Sequence, residues 1–324
     1  MQSLHTLQNL INEAIEEKRF NEKPAELYDP INYIMSLGGK RMRPVFLLMA
    51  CDLFGGSVLS ALDAAVGIEM FHNFTLMHDD IMDKAPIRRG KETVHVKWNE
   101  NVAILSGDIM FVEAYKLMIK VEDNILRDVL KVFGDTAASV CQGQQIDMNY
   151  EQTDEVSVDE YLEMIRLKTA VLLAGALEIG SLIGNAGHEN AQTMYQFGEN
   201  LGIAFQLQDD ILDVYGDPEK FGKQVGGDIL SNKKTFLLIK ALEDAGELDN
   251  EELSYWINAE NPEPQTKIQS VTSIYNRLGI RQLAEQEMNR HAEKALQYLE
   301  ALPVDADKKQ ILRRFAEDLL VREN

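Results

Sequence analysis

Two short runs of aspartates are the residues of this 324-residue chain best suited to do chemistry. Asp79-Asp80-Ile81-Met82-Asp83 and Asp209-Asp210-Ile211-Leu212-Asp213 both read D-D-x-x-D. On a helix, residues four apart share a face, which pairs Asp79 with Asp83 and Asp209 with Asp213. A lone cluster of this kind reads equally well as a solvated acidic face. Both clusters, however, are flanked by large apolar residues: Phe71, Phe74, Leu76 and Met77 before the first, and Phe205, Leu207, Ile211 and Val214 around the second. Like charges among apolar side chains are costly unless a cation compensates them. Two such pairs facing each other would hold hard divalent cations that in turn grip a diphosphate. Magnesium suits carboxylate, water and phosphate oxygens, whereas the His/Cys spacing that zinc requires is missing. His72, seven residues before Asp79 and eleven before Asp83, falls on the same helical stripe.

The second constellation is basic. Gly39-Lys40-Arg41-Met42-Arg43-Pro44 puts three cations beside a helix start, where backbone N–H groups also favour anions. Arg88-Arg89 follows the first aspartate cluster, Lys168 stands beside Thr169, and Lys223 and Lys233 follow the second cluster. Each alone reads as a surface charge. Together, in a chain of net charge -21, they suggest grips for an anion. Arginine supplies bidentate contacts to phosphate oxygens and lysine a point charge. No G-x-x-x-x-G-K-[ST] loop is present, so a P-loop nucleotide site is not indicated. The acidic balance argues against nucleic-acid binding and against attraction to anionic lipid.

These residues need helices to position them. Apolar periodicity predicts helices over 3–18, 27–37, 45–54, 59–82, 101–121, 124–149, 158–184, 188–215, from near 234, and over 266–301 and 305–322. No alternating strand pattern appears, and 84–100 reads as a basic loop. The acidic segment 246–264 reads as a solvent-exposed excursion. No linker divides the chain, so residues 1–324 are expected to form a single all-α domain. Cys51 and Cys141 both sit in apolar surroundings and are expected to be buried thiols in a reducing cytoplasm. Residues 1–20 lack the pattern of a signal peptide. No apolar run approaches the ~18 residues that a membrane span needs.

In order along the chain, GGKRMRP at 38–44, HNFTLMHDDIMDKAPIRRG at 72–90, TVH at 93–95, GQQID at 143–147, KTA at 168–170, FQLQDDILD at 205–213, GKQVGGDI at 222–229 and NKKT at 232–235 resemble the trans-isoprenyl diphosphate synthases, the polyprenyl synthetase family. The resemblance implies the isoprenoid synthase fold, ten or so helices around a central cavity, and a homodimer. It implies condensation of isopentenyl diphosphate with an allylic diphosphate (dimethylallyl, geranyl or farnesyl). By matching position, Lys40, Arg43, His72 and Arg89 would hold isopentenyl diphosphate. Asp79, Asp83 and Asp209 would ligate three magnesium ions around the allylic diphosphate, with Asp80 and Asp213 in support. Arg88, Lys168, Lys223 and Lys233 would contact that diphosphate, and Thr169 and Gln206 would line the reacting carbons.

Product length should depend on what blocks the growing tail beneath the first cluster. Phe74 and Phe71 lie three apart and would form one aromatic wall, Phe74 about 7–8 Å below the metal site; they read otherwise as ordinary core. Thr75, four before Asp79, is small. In the family, one aromatic at the fifth position with a short D-D-x-x-D marks a C20 product, whereas aromatics at both the fourth and fifth positions mark C15. Geranylgeranyl diphosphate is therefore expected, with farnesyl diphosphate as the alternative. A terpene cyclase would replace the second aspartate cluster with an Asn/Asp, Ser/Thr, Glu pattern and would not need the Lys40/Arg43/His72 grip. A non-catalytic subunit would have eroded clusters, and a cation buffer would not need the basic grips.

Overall fold

The computed structural model describes residues 2–153, 155–217 and 225–320, and most of the described chain is helical. The chain groups into two compact units, each assembled from interleaved stretches. One comprises Met1–Thr136, Leu172–Tyr195 and Leu302–Leu312. The other comprises Ala137–Val171, Gln196–Ala301 and Arg313–Asn324.

The first unit carries the first aspartate cluster. Its opening helix, Leu4–Glu17, starts where the Ser3 hydroxyl accepts the Thr6 N–H at 3.2 Å, and it buries Leu7, Ile11 and Ile15 at successive turns. Helix Met42–Leu53 has Pro44 in its first turn, where a missing N–H breaks no helical bond, and is buried from Pro44 to Cys51. The expected 59–82 helix begins as a tight 3-10 turn, Val58–Ala61, and continues as the α-helix Leu62–Met82. That helix is buried continuously from Ala64 to Phe71 and packs along helix Glu100–Met118.

The basic loop after the cluster is more ordered than its sequence suggests. Ile87–Arg88 and Lys91–Glu92 pair antiparallel as a small hairpin. The two turn residues, Arg89 and Gly90, have φ of 53° and 74°, the left-handed pair that closes a two-residue hairpin. Strands of two residues are too short to show an alternating pattern.

The second unit carries the second cluster on helix His188–Tyr215. Leu207, Ile211 and Val214 of that helix join a core with Tyr161, Met164, Leu237, Ile274 and Tyr275. The expected continuous 158–184 helix is interrupted. Helix Val158–Ile165 passes through a π-helical turn, Arg166–Ala170, before helix Val171–Ile183. The expected 266–301 helix is two, Pro264–Leu278 and Ile280–Ala301, separated at Gly279 with φ of 68°.

The 246–264 expectation holds only in part, since most of the segment is exposed but it is not a mere excursion. This segment contains helix Glu247–Asn258, whose Leu253 is fully buried, and Trp256 packs on the same core. An acidic outer face hid an apolar edge. Cys141 also departs from expectation: it is exposed, one position past the buried Val140, while Cys51 is buried. A step of one residue turns a helical side chain by about 100°, which is enough to change face.

Candidate active site

In the first unit, Asp79, Asp80 and Asp83 occupy the last turn of helix Leu62–Met82, with Asp83 at its C-cap. The helix dipole there disfavours negative charge, so the cluster calls for cations. Asp80 points inward and is 2% exposed. Arg88 meets it from the hairpin, with Nε at 2.9 Å from both Asp80 oxygens and a terminal nitrogen at 2.8 Å. The same guanidinium lies 3.9 Å from Asp79. Asp79 is partly buried and Asp83 is exposed. The anchored middle aspartate thus leaves the first and fifth on the open side.

The basic grip assembles in the same unit. An Arg43 nitrogen lies 3.3 Å from His72 Nε2. His72 is held well below its ordinary pKa, first by burial and then by the charges of Arg43, Arg89, Arg88 and Arg41. It is therefore a neutral donor or acceptor among arginines. Arg89 donates to the carbonyl of Gly38. Gly39, at φ of 136°, lies so close that a Cβ there would sit 2.9 Å from the Arg89 guanidinium. Gly39 thereby makes room for that group. Lys40 is exposed beside them. Arg41, grouped with these cations in the sequence, serves the core instead. It is 5% exposed and donates to Glu69 at 2.6 Å and to the Met35 carbonyl at 2.7 Å. Its backbone is left-handed, with φ of 49°.

Below the first cluster, Phe71 and Phe74 touch with ring centroids 5.5 Å apart. They belong to a larger aromatic cluster. Phe111 stacks on Phe74 at 5.3 Å with an interplanar angle of 8°, and Phe133 meets Phe71 edge-on at 5.4 Å. Tyr115 closes on Phe133 at 4.9 Å. Thr75 turns its hydroxyl back to the His72 carbonyl at 2.8 Å. A cavity of about 360 Å³ elsewhere in this unit, lined by Ile15, Phe20, Met35, Arg41 and Met70 among others, includes none of these aromatics.

The second unit repeats the arrangement with different partners. Asp210, the middle aspartate, is 4% exposed and accepts from the Tyr161 hydroxyl and, at 3.1 Å, from Gln206 Nε2. Its pKa is pushed up to about 7, first by burial and then by the charge of Asp228; Lys233 opposes the shift. Gln206 also accepts from the Thr169 hydroxyl at 3.1 Å. Asp209 and Asp213 are partly buried. Asp213 is tied to the following turn: its carboxylate accepts the Asp228 N–H at 2.9 Å and its carbonyl accepts the Gly226 N–H at 2.6 Å. Lys233 closes that turn, its N–H bonding to the Asp228 carbonyl at 2.9 Å. Lys223 lies outside the described residues.

Lys168 and Thr169 sit on the π-helical turn, where an extra residue re-aims the side chains. A Cβ on Gly143 would run into the backbone of Lys168, and one on Gly202 would lie 2.6 Å from Ala170 Cα. Two neighbouring helices therefore clasp the turn through glycines. Lys168 bonds to Asp147 at 2.6 Å. Asp147, Tyr161, Asp210 and Asp228 have no role in the sequence reading. Asp147, Asp210 and Asp228 had a signal, lying in the GQQID, FQLQDDILD and GKQVGGDI motifs; Tyr161 had none.

Among the described residues, no group of three or more His, Cys, Asp or Glu side chains gathers into a metal cage. The donors at both clusters are carboxylates, which fits a hard ion held by one or two protein ligands and completed by water and phosphate oxygens. No described helix is long and apolar enough to cross a membrane.

The family model for polyprenyl synthetase matches residues 24–275. The geranylgeranyl diphosphate synthase of Methanosarcina mazei is 43% identical over 242 residues, 74% of each chain. The short chain isoprenyl diphosphate synthase of Methanothermobacter thermautotrophicus is 35% identical over 325 residues, covering 100% of this chain and 99% of that one. A crystal structure of a geranylgeranyl pyrophosphate synthase superposes with a TM-score of 0.95 at 42% identity over 100% of both chains. Relatives named geranylfarnesyl diphosphate synthase also match. The chain belongs to the polyprenyl synthetase family. It has the isoprenoid synthase fold and is a prenyltransferase.

Proposed function

We propose that this chain condenses isopentenyl diphosphate with allylic diphosphates and releases chiefly geranylgeranyl diphosphate. The observation that carries the reading is the repeated construction of the two clusters: in each, the middle aspartate is buried and anchored while the first and fifth stand on the open side. Asp79, Asp83, Asp209 and Asp213 would hold magnesium, three ions by family resemblance. Magnesium, when bound, supplies charge that stabilises the departing diphosphate.

The chain's own groups account for the rest. Arg88, Lys168, Lys223 and Lys233 contact the allylic diphosphate. Arg88 and Lys168 are already held by Asp80 and Asp147, so each cation is oriented before substrate arrives. Lys40, Arg43, Arg89 and neutral His72 hold isopentenyl diphosphate; a neutral imidazole donates without adding to the repulsion among the arginines. Thr169 and Gln206, bonded to each other, turn oxygen dipoles toward the allylic carbons. The carbon–oxygen bond ionises first, and the alkene then attacks C1 of the allylic cation. The departed diphosphate takes the proton released in forming the new double bond.

Phe74, backed by Phe71 and Phe111, ends the growing chain at C20 in this reading. Chromatography of products formed from isopentenyl and dimethylallyl diphosphates tests it: a C20 product is expected, and mainly C15, C25 or longer products overturn it. We further read the chain as a single domain and a cytoplasmic homodimer. Leu105, Val112 and Ile119, seven residues apart, leave an exposed apolar stripe of 57%, 49% and 52% exposure, which suits a second copy. Light scattering should return twice the 36.6 kDa chain mass.

A further inference from the structure

Lys267 lies in the first turn of helix Pro264–Leu278 and is 3% exposed. That is a poor place for a cation, since burial and the positive end of the helix dipole both act against it. Its ammonium bonds to Asn232 Oδ1 at 2.6 Å and reaches the Leu230 carbonyl at 3.4 Å, both neutral acceptors. Asn232 in turn donates to the Ile257 carbonyl at 2.9 Å, at the end of helix Glu247–Asn258. Its φ of 55° is left-handed, a conformation that asparagine tolerates better than most residues.

Asn232 is the residue before Lys233, and the turn that holds both is the one tied to Asp213. From Asp213 the hydrogen bonds run to Gly226 and Asp228, from Asp228 to Lys233, and from Asn232 to Lys267 and Ile257. One end of this path is a carboxylate of the second cluster. The other is a buried lysine on a helix that carries none of the aspartate or diphosphate-contacting residues.

We propose that Lys267 and Asn232 are positioning residues that hold the 226–233 turn in register, so that Lys233 and Asp213 meet the allylic diphosphate and its ions together. Helix Glu247–Asn258 is thereby a buttress for that turn. This inference rests on the proposed condensation.

Steady-state kinetics of Lys267→Met, which keeps the chain length and removes the charge, tests the idea. The KM for the allylic diphosphate should rise about 10-fold, as for other residues that orient a ligand from behind. The KM for isopentenyl diphosphate should stay at the wild-type value. Equal changes in both constants, or no change in either, overturns the proposal. Asn232 gives a second test that does not depend on that variant folding. Asn232→Asp keeps the acceptor for Lys267 but gives up the N–H donated to Ile257, so its rise in allylic KM should be smaller than that of Lys267→Met, whereas Asn232→Ala, which removes both contacts, should raise that KM at least as far as Lys267→Met. The Asn232→Ala/Lys267→Met double variant should be no worse than Asn232→Ala alone, because that variant already removes the Lys267–Asn232 contact. Additive losses overturn the proposal. Absence of condensation by the wild-type chain would instead remove the functional reading itself.

Discussion

The two aspartate clusters share a pattern but bury the middle carboxylate by different means. Asp80 is matched by a full opposite charge, the Arg88 guanidinium, lying across both its oxygens. Asp210 is met by two neutral donors, Tyr161 and Gln206, and its pKa climbs to about 7 through burial and the nearby Asp228. Both arrangements bury the residue that follows the first aspartate and leave the outer pair on the open face. They differ in what they connect. Arg88 ties the first cluster to a hairpin that also presents Arg89 to the Gly38–Gly39 segment. Gln206 ties the second to Thr169 on the π-helical turn. Each middle aspartate is therefore a mechanical link between the outer carboxylates and a different set of the residues proposed to face substrate.

The comparison breaks most severely if the outer carboxylates are not equivalent. Asp79→Asn and Asp209→Asn should each lower kcat by at least about 1,000-fold with unchanged helical circular dichroism, each having lost charge from the face proposed to hold metal. A near-wild-type rate in either variant would leave only one cluster in the reaction. At the next level, Gly39→Ala should raise the KM for isopentenyl diphosphate by about 10-fold through displacement of Arg89, while the KM for the allylic partner is unaffected. Phe74→Ala should shift the product toward longer chains on chromatography. An unchanged product length would put the block among other residues.

Stability separates the two ways of burying an aspartate. Arg88→Met strands a buried charge and should cost about 3 kcal/mol in urea unfolding, whereas Tyr161→Phe removes one neutral donor and should cost about 1 kcal/mol. Equal losses would erase the distinction. A further effect belongs to Glu178, a half-buried acid without full charge compensation. Burial raises its pKa to about 7, with Lys131 opposing and Asp135 adding. Its folded pKa lies above its unfolded value, so the folded state holds a proton that the unfolded chain releases first, and stability falls as pH rises from about 4.5 to 7. Glu178→Gln should therefore be neutral near pH 4 and stabilising by about 1–2 kcal/mol at pH 8, after allowance for solvent screening. Equal unfolding midpoints at pH 8 would contradict that.

Much of this was legible in the chain. The apolar periodicity located the long helices to within a few residues, because a buried face has to recur every turn. The paired aspartates were legible because their residue types and spacing are local. So was the pair Phe71 and Phe74, three residues apart. The π-helical turn was not legible, since Arg166–Ala170 continues the same apolar pattern as its flanks and only the close approach of Gly143 and Gly202 marks the site. The apolar edge of Glu247–Asn258 was masked by its acidic surface.

Composition, helical spacing and short motifs by themselves determined that the chain is helical and which carboxylates and cations it offers, because those properties travel with residues near one another in sequence. Only the tertiary structure decided which cation answers which acid. Arg41 turned inward to Glu69 while its neighbour Arg43 met His72, Lys168 found Asp147, and Tyr161 found Asp210. These pairings join residues far apart in the chain, and they are set by burial, which makes an unmatched polar group costly wherever its partner happens to be encoded.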